Sequence, residues 1–332
     1  MRVNFRILLI CLFIPVFLYA SVFSSMGLGE YVNFGDAVER GMAGVKMFQT
    51  PEVHTFKVTS LADFVRIKDE NNIRDEHSFY LYDIGYFLPL PNRFGIALSL
   101  SNILSRNFYI ESKDNKLGDI SYDRIIKGSG GIYITSASLY KTFNTFSIDI
   151  GGLIPFGGTE EIYEAIFTSG DYNNTIHTVN SATSGYGLRT QFKFGFDRMD
   201  IALTYSHFLG SIELPPQSFI SLFYRVNQDW TIATSIDLGL WKYVDESFST
   251  ATNIGLAVSN TKGPFTFRGG VFSRSWYYRN IKEIGGCVGT SFLYPDRLGE
   301  LSIGIEAGRK SWKEIEELFV RLSVTLCGRE IW

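Results

Sequence analysis

Cysteine is nearly absent from this 332-residue chain, with three in all, and only Cys287 and Cys327 lie beyond the first twenty residues. Two cysteines do not make a disulfide scaffold. Histidine is as scarce, and none of His54, His77, His177 and His207 has the spacing of a metal site or a catalytic triad. Neither Gly-x-Ser-x-Gly nor His-Glu-x-x-His occurs, and Ser206 and His207 are neighbours on opposite faces of one strand, so no enzyme is expected. The run Gly128-Ser129-Gly130-Gly131 does not lie between a strand and a helix, which leaves no phosphate loop. No cofactor is implied. The net charge is -3, with no basic excess to neutralise phosphates, which argues against a nucleic-acid partner. Charged residues make up 20% and apolar residues 45%, too apolar for a disordered solvating chain. Mean hydropathy is +0.05, too low for a bundle of membrane helices.

Aromatics are plentiful, with 28 Phe, 18 Tyr and 5 Trp, and glycine stands at 32 against 9 prolines. That mix favours short strands, because rings sit well on a pleated surface and glycine weakens helices. The first twenty residues read differently. Arg2 and Arg6 precede an apolar run over residues 7–19 that ends at Ala20-Ser21, the pattern of a secretory signal peptide. The run is short for a spanning helix, which takes about 20 residues. Cys11 has no small-residue lipobox before it, so lipidation is not expected.

Beyond that leader no apolar run is long enough to span as a helix. Segments of roughly 10 residues instead alternate at period two, the length a tilted membrane strand needs. In the last of them Leu318, Val320, Leu322, Val324 and Leu326 share one face, opposite Glu317, Arg321, Ser323, Thr325 and Cys327. Strands are expected to begin near His54, Phe79, Arg93, Gly131, Asn144, Gly185 and Met199. Others begin near Ser218, Trp230, Ala251, Pro264, Glu283, Leu298 and Glu316, for about 14 in all. Tight links fall at residues 89–92, 143, 197–198, 227–229, 260–263 and 295–297. Long polar links fall between them, at residues 66–78, 104–130, 156–184, 241–250 and 275–282. Short turns on one side and long loops on the other describe an outer-membrane barrel rather than a β-sandwich.

Phe94, Tyr140, Phe146, Phe196, Tyr224, Trp230, Phe265 and Tyr294 sit beside the tight turns, on the outward face by strand parity. They are candidates for an aromatic girdle at the membrane boundary, with ordinary core aromatics as the alternative. The same parity sends Asp83, Asp149, Arg189, Lys193, Arg225, Asp237, Arg268, Glu306 and Arg321 inward. A lipid-facing Arg or Lys at mid-membrane would cost about 2–4 kcal/mol, so the interior is where they belong. There they either line a solute path and hold a plug, or pair with one another to fill a closed barrel.

The C-terminal stretch from Glu317 to Val324, closing at Trp332, resembles the last strand of bacterial outer-membrane barrels, although Gly328 and Glu330 interrupt the alternation. The stretch Gly27-Leu28-Gly29-Glu30, followed by Phe34-Gly35-Asp36-Ala37 and Gly41-Met42-Ala43-Gly44, is similar to the start of FadL-like and PorV/PorQ-like barrels. Where that superfamily has Asn-Pro-Ala, this chain has Thr50-Pro51-Glu52. After the signal peptide at residues 1–20, the resemblance implies a plug segment at 21–53 and an all-β, transmembrane antiparallel barrel of about 14 strands at residues 54–332. It also implies residence in the bacterial cell outer membrane, with membrane lipid and the barrel assembly machinery as partners. Residues 156–184 would be a capture loop, with a short amphipathic helix or a mobile stretch at residues 160–167. The function implied is passage of small hydrophobic compounds; the alternative is a barrel that anchors or shuttles secreted proteins. Both remaining thiols are expected inside the lumen, at opposite rims and too far apart to bridge.

Overall fold

Period-two alternation runs through the wall parts of the long strands of the computed structural model, and the strands close on themselves. The structure describes residues 21–25, 30–32, 35–48, 50–68, 73–167, 172–209, 214–279, 281–294 and 299–329. The expected signal peptide, Cys11, the motif start at residues 27–29, the turn at 295–297 and the terminal Trp332 lie outside the described residues.

The chain opens with a 3-10 turn at Val22–Ser25, a two-residue strand β1 (Glu30–Tyr31) and a one-turn helix α1 (Ala37–Arg40). There follow β2 (Thr55–Lys68), β3 (Ile73–Leu90), β4 (Phe94–Ser105), β5 (Phe108–Leu117), β6 (Ile120–Thr142) and β7 (Phe146–Phe167). Next come β8 (Thr175–Ser184), β9 (Tyr186–Gly195), β10 (Met199–Leu209), β11 (Gln217–Arg225), β12 (Trp230–Gly239) and β13 (Ala251–Lys262). The chain finishes with β14 (Phe265–Ser275), β15 (Lys282–Leu293), β16 (Gly299–Trp312) and β17 (Ile315–Arg329). The wall runs β2-β3-β4-β6-β7-β9-β10-β11-β12-β13-β14-β15-β16-β17, and β17 pairs antiparallel with β2 over fourteen residues to close it. This is a closed 14-stranded antiparallel barrel. Closure removes the sheet edges, so neighbouring strands satisfy one another's backbone groups along the wall, as a membrane interior demands, except where β3 and β4 part on the loop side.

β5 and β8 are additional strands. They pair with the loop-side parts of β6 and β7, which stand far above their neighbours. The stretch at residues 160–167 is therefore strand, neither helix nor loose loop. Ladders on both sides, Glu161↔Gly128 and Glu161↔Val179, outweigh a lone helical turn.

The burial pattern is inside-out. Outward Leu139, Ile154, Ile220, Leu256, Val271 and Val320 are exposed, whereas inward Ser221, Ser302, Ser323 and Thr325 are buried. Near the short turns Phe94, Phe196, Tyr224, Trp230, Phe265 and Tyr294 are exposed on the outer surface, and Phe146 stacks outside against Phe143 at 5.7 Å. Tyr140 is the exception to the expected outward set. It continues the inward series Ile132, Ile134, Ser136 and Ser138, is 4% exposed, and its hydroxyl donates to the Pro51 carbonyl at 3.0 Å. Gly95 makes that possible: a Cβ there would lie 2.1 Å from the Tyr140 ring.

Cys287 and Cys327 are free thiols. Cys287 sits at mid-wall rather than at a rim, opposite Glu306 on β16, while Cys327 lies opposite Glu300. Six residues of β16 (306 − 300) therefore separate them vertically, about 20 Å at the usual rise, far beyond a disulfide's reach.

Candidate functional site

Asp36, Ala37, Val38 and Glu39 form a capping box that starts a helix in the middle of the lumen. The Asp36 carboxylate accepts from the Val38 and Glu39 amides at 2.9 and 3.0 Å, and Glu39 Oε2 accepts from the Asp36 amide at 3.2 Å. Glycines on the wall let this single turn sit directly on the sheet. A Cβ at Gly304 would lie 2.4 Å from the Ala37 carbonyl oxygen, and one at Gly289 would lie 2.9 Å from Gly41 Cα. The Ala43 amide, a residue with φ of 60°, donates to Cys287 Sγ at 3.0 Å.

Buried ions fix the contact further. Arg40 pairs with Glu306 at 2.9 Å, and Arg274 bridges Glu306 and Glu283 at 2.5 and 2.6 Å. Arg321 reaches Glu283 at 3.0 Å, Glu30 at 2.8 Å and Asp63 at 3.3 Å. Lys310 pairs with Glu30 and, at 3.4 Å, with Glu317. Lower in the lumen Lys57 ties Asp36 to Asp83 at 3.2 and 2.9 Å, and Lys46 pairs with Asp237 at 3.1 Å. Such pairs add little net stability against an apolar alternative, but they make any other placement of the segment leave charges stranded.

The segment thus seats on β12–β17, β2 and β3, and the side of the lumen towards β6, β9 and β10 stays open. A cavity of about 170 Å³ runs there between the segment and β4, β6, β9 and β10, lined by Ser101, Ser136, Arg189, Gln191, Thr204 and Lys46. At its long-loop end stand Ile103, Ile134, Leu153 and Phe208, part of a buried apolar cluster with Trp241, Phe248 and Tyr277. Trp241 and Tyr277 stack at 3.9 Å. The link after β12 folds inward to supply Trp241 instead of reaching into solvent.

The wall beside this cluster is incompletely zipped. β3 pairs with β4 only from Asp83↔Ser101 to Leu90↔Phe94. Above that, β4 takes β1 as its partner through Glu30↔Ser105 and Tyr31↔Leu104, and the Val32 amide donates to the Ile103 carbonyl at 2.9 Å.

The nine residues expected to face inward divide into groups. Glu306 and Arg321 belong to the ion network, and Asp83 and Asp237 hold the N-terminal segment through Lys57 and Lys46. Asp149 accepts from Ser138 at 2.6 Å and lies 3.8 Å from Arg189. Arg268 donates to Ser291 at 2.6 Å. Lys193 and Arg225 face Asp200 near the short-turn rim at 3.7 and 3.5 Å. The structure does not bring the nine together as one site. Sequence reasoning missed Lys57, Asp63, Arg274, Glu283 and Lys310. Extending parity to the strand ends would have found Arg274, Glu283 and Lys310, which lie near the ends of β14, β15 and β16.

Burial opposes charge on Asp36, yet Lys57 and the Glu39 amide hold its carboxyl below the usual range. Burial and the neighbouring Asp36 charge push Glu39 the other way, up to about 7, against smaller opposing effects of Lys57 and Lys46.

The fold and its lumen define a class: a membrane-type barrel with an N-terminal segment docked inside it. No family model and no curated protein matches the chain. Among solved structures it is similar to the toluene transporter TodX of Pseudomonas putida, with a TM-score of 0.58 at 11% identity, over 95% of this chain and 98% of that one. It is also similar to the CymD monoaromatic hydrocarbon channel, with a TM-score of 0.53 at 10% identity, over 94% and 97% of the two chains. Both are FadL-family channels, and the likeness shows that the chain has the FadL-like barrel fold.

Two measurements probe this site. Replacing Arg274 with Met leaves Glu283 with Arg321 alone and Glu306 with Arg40 alone, a buried excess of negative charge that should cost about 3 kcal/mol in denaturant unfolding of the detergent-solubilised barrel. An unchanged midpoint would mean that the network carries no weight. Glu39 keeps its proton further up the pH scale when folded, so its contribution is full below about 4.5 and is lost as pH rises through about 7. Stability should therefore fall across that window, and Glu39→Gln should flatten the dependence.

Proposed function

We propose that this protein passes small hydrophobic compounds across the bacterial outer membrane. The observation that carries the reading is the buried apolar cluster of Trp241, Tyr277, Phe248, Phe208, Ile103 and Leu104 at the long-loop end of the polar-lined cavity. An apolar solute gains about 25 cal/mol for each Å² withdrawn from water, so such a cluster gathers it where hydroxyl-lined walls would not. Ile103 and Leu104 stand on the stretch of β4 that has left β3 and holds β1, so the cluster abuts the part of the wall with the fewest ladder bonds. The likeness to toluene and monoaromatic hydrocarbon channels supports the same solute class.

In this reading the short turns face the periplasm, the long loops face outward, and residues 27–53 act as the plug. The inward charges hold that plug and line the path beside it. The chain reaches the outer membrane by its signal peptide and the assembly machinery, and sits among the lipids there.

Uptake of a monoaromatic hydrocarbon into vesicles carrying the protein tests the proposal. Flux should exceed that of empty vesicles, rise on deletion of residues 27–50 and fall for Trp241→Ala. Absence of flux in the intact and deleted forms, with a secreted protein co-purifying, would replace transport by the anchoring role.

A further inference from the structure

Among the described residues, the guanidinium groups inside the barrel are tied down, with one exception. Arg40, Arg274 and Arg321 sit in the ion network, and Arg268 donates to Ser291. Arg189 on β9 donates to no described protein group. Its nearest carboxylate is Asp149, with 3.8 Å between Nη2 and Oδ1, too far for a hydrogen bond. Its Nε and the Asp149 Oδ1 are both buried without a partner. A donor taken from water and left unbonded is costly, so this group calls for an acceptor brought in from outside.

The place of Arg189 narrows what carries that acceptor. On the wall it lies opposite Ser206 of β10 and Gly151 of β7. One inward position higher, Gly187 lies opposite Phe208 and Leu153. The arginine therefore stands one step below the apolar end of the cavity, about 7 Å away along the strand. Gly151 and Gly187 put no side chain into that step. The cavity of about 170 Å³ has room for one small ring and not for an extended chain, since a cavity of about 150 Å³ takes up benzene. Charge narrows the class further. Arg189 and Lys46, the described cations lining the cavity, each face a carboxylate, on Asp149 and Asp237, and Glu39 lines the same space. An anion would bring excess charge into this partly desolvated place, whereas a neutral oxygen takes up a free N–H.

We propose that Arg189 is a specificity-determining residue that selects neutral single-ring compounds carrying an oxygen acceptor, such as an aromatic ketone or alcohol, over plain hydrocarbons. The ring lies against Ile134, Leu153 and Phe208, and the oxygen accepts from the guanidinium below them. Arginine has donors and no acceptor, so the lone pairs must come from the solute. This inference rests on the reading of the barrel as a path for small hydrophobic compounds and narrows it. A hydrocarbon fills the apolar end and leaves Arg189 unbonded.

Saturation-transfer NMR on the purified full-length barrel in detergent, with empty micelles as the reference, tests this. The probes are acetophenone, its hydrocarbon isostere isopropylbenzene, and benzoate. Acetophenone should bind about tenfold more tightly than isopropylbenzene, the worth of one hydrogen bond to a charged donor, and more tightly than benzoate. Arg189→Met removes the donors and keeps an extended side chain, so it should cost acetophenone about tenfold and leave isopropylbenzene unchanged. Unchanged acetophenone binding in a variant that keeps heat-modifiable mobility would mean that water alone serves Arg189, and the proposal would fall. Should the variant not fold, the order of the three probes on the parent protein decides. Equal binding of acetophenone and isopropylbenzene overturns the selectivity and leaves the path for hydrophobic compounds standing. Tighter binding of benzoate makes the cavity an anion site and overturns it as well. Binding of none of the probes removes the hydrophobic path itself, and this inference with it.

Discussion

Charge buried inside the barrel is the constraint on which the rest of this structure depends. Lipid accepts apolar side chains on the outer wall, so polar and ionic residues of a 14-stranded barrel have only the lumen to occupy. Inside, they must find partners. Some of those partners come from the wall itself, as in Arg274 with Glu283 and Glu306, and others from a short N-terminal segment carrying Glu30, Asp36, Arg40 and Lys46. The segment and the wall complete each other, and neither is satisfied alone.

From that pairing follows the asymmetry of the lumen. Glycines at positions 289 and 304 flatten β15 and β16 where α1 rests, and the ion network runs along the same strands. The other half of the circumference, β4 to β11, presents small hydroxyls and amides to an open cavity, with an apolar cluster at its long-loop end. β1 links the two halves, since Glu30 anchors in the network while its backbone pairs with the loop-side end of β4. β1 thus joins the clamp to the stretch where β3 and β4 are unzipped.

Much of the wall was legible in the sequence because lipid on one side and polar lumen on the other impose a strict alternation. Starts expected at Met199, Trp230 and Ala251 coincide with β10, β12 and β13, and most others fall within a residue or two. Where one side of the wall is water, the alternation loses its contrast, which is why β5, β8 and the upper part of β7 read as loop. Tyr140 was misplaced for a related reason: near a rim, an amphipathic ring fits either face, and only the Pro51 carbonyl and the absence of a side chain at Gly95 decide. The ion network could be read only in part. Parity places Glu306 and Arg321 inward, but their partners Arg40 and Glu30 lie more than 260 positions away and carry no local pattern.

A covalent lock on the clamp tests the central claim most directly. The Ala43 amide touches Cys287 Sγ, so Ala43→Cys provides a second thiol against the native one and lets oxidation staple the segment to β15. If the segment is a fixed lining and solute moves along the β4–β11 side, hydrocarbon flux will be the same in oxidised and reduced vesicles. Loss of flux on oxidation and its return on reduction would show that the segment must leave the wall, and the account would be wrong.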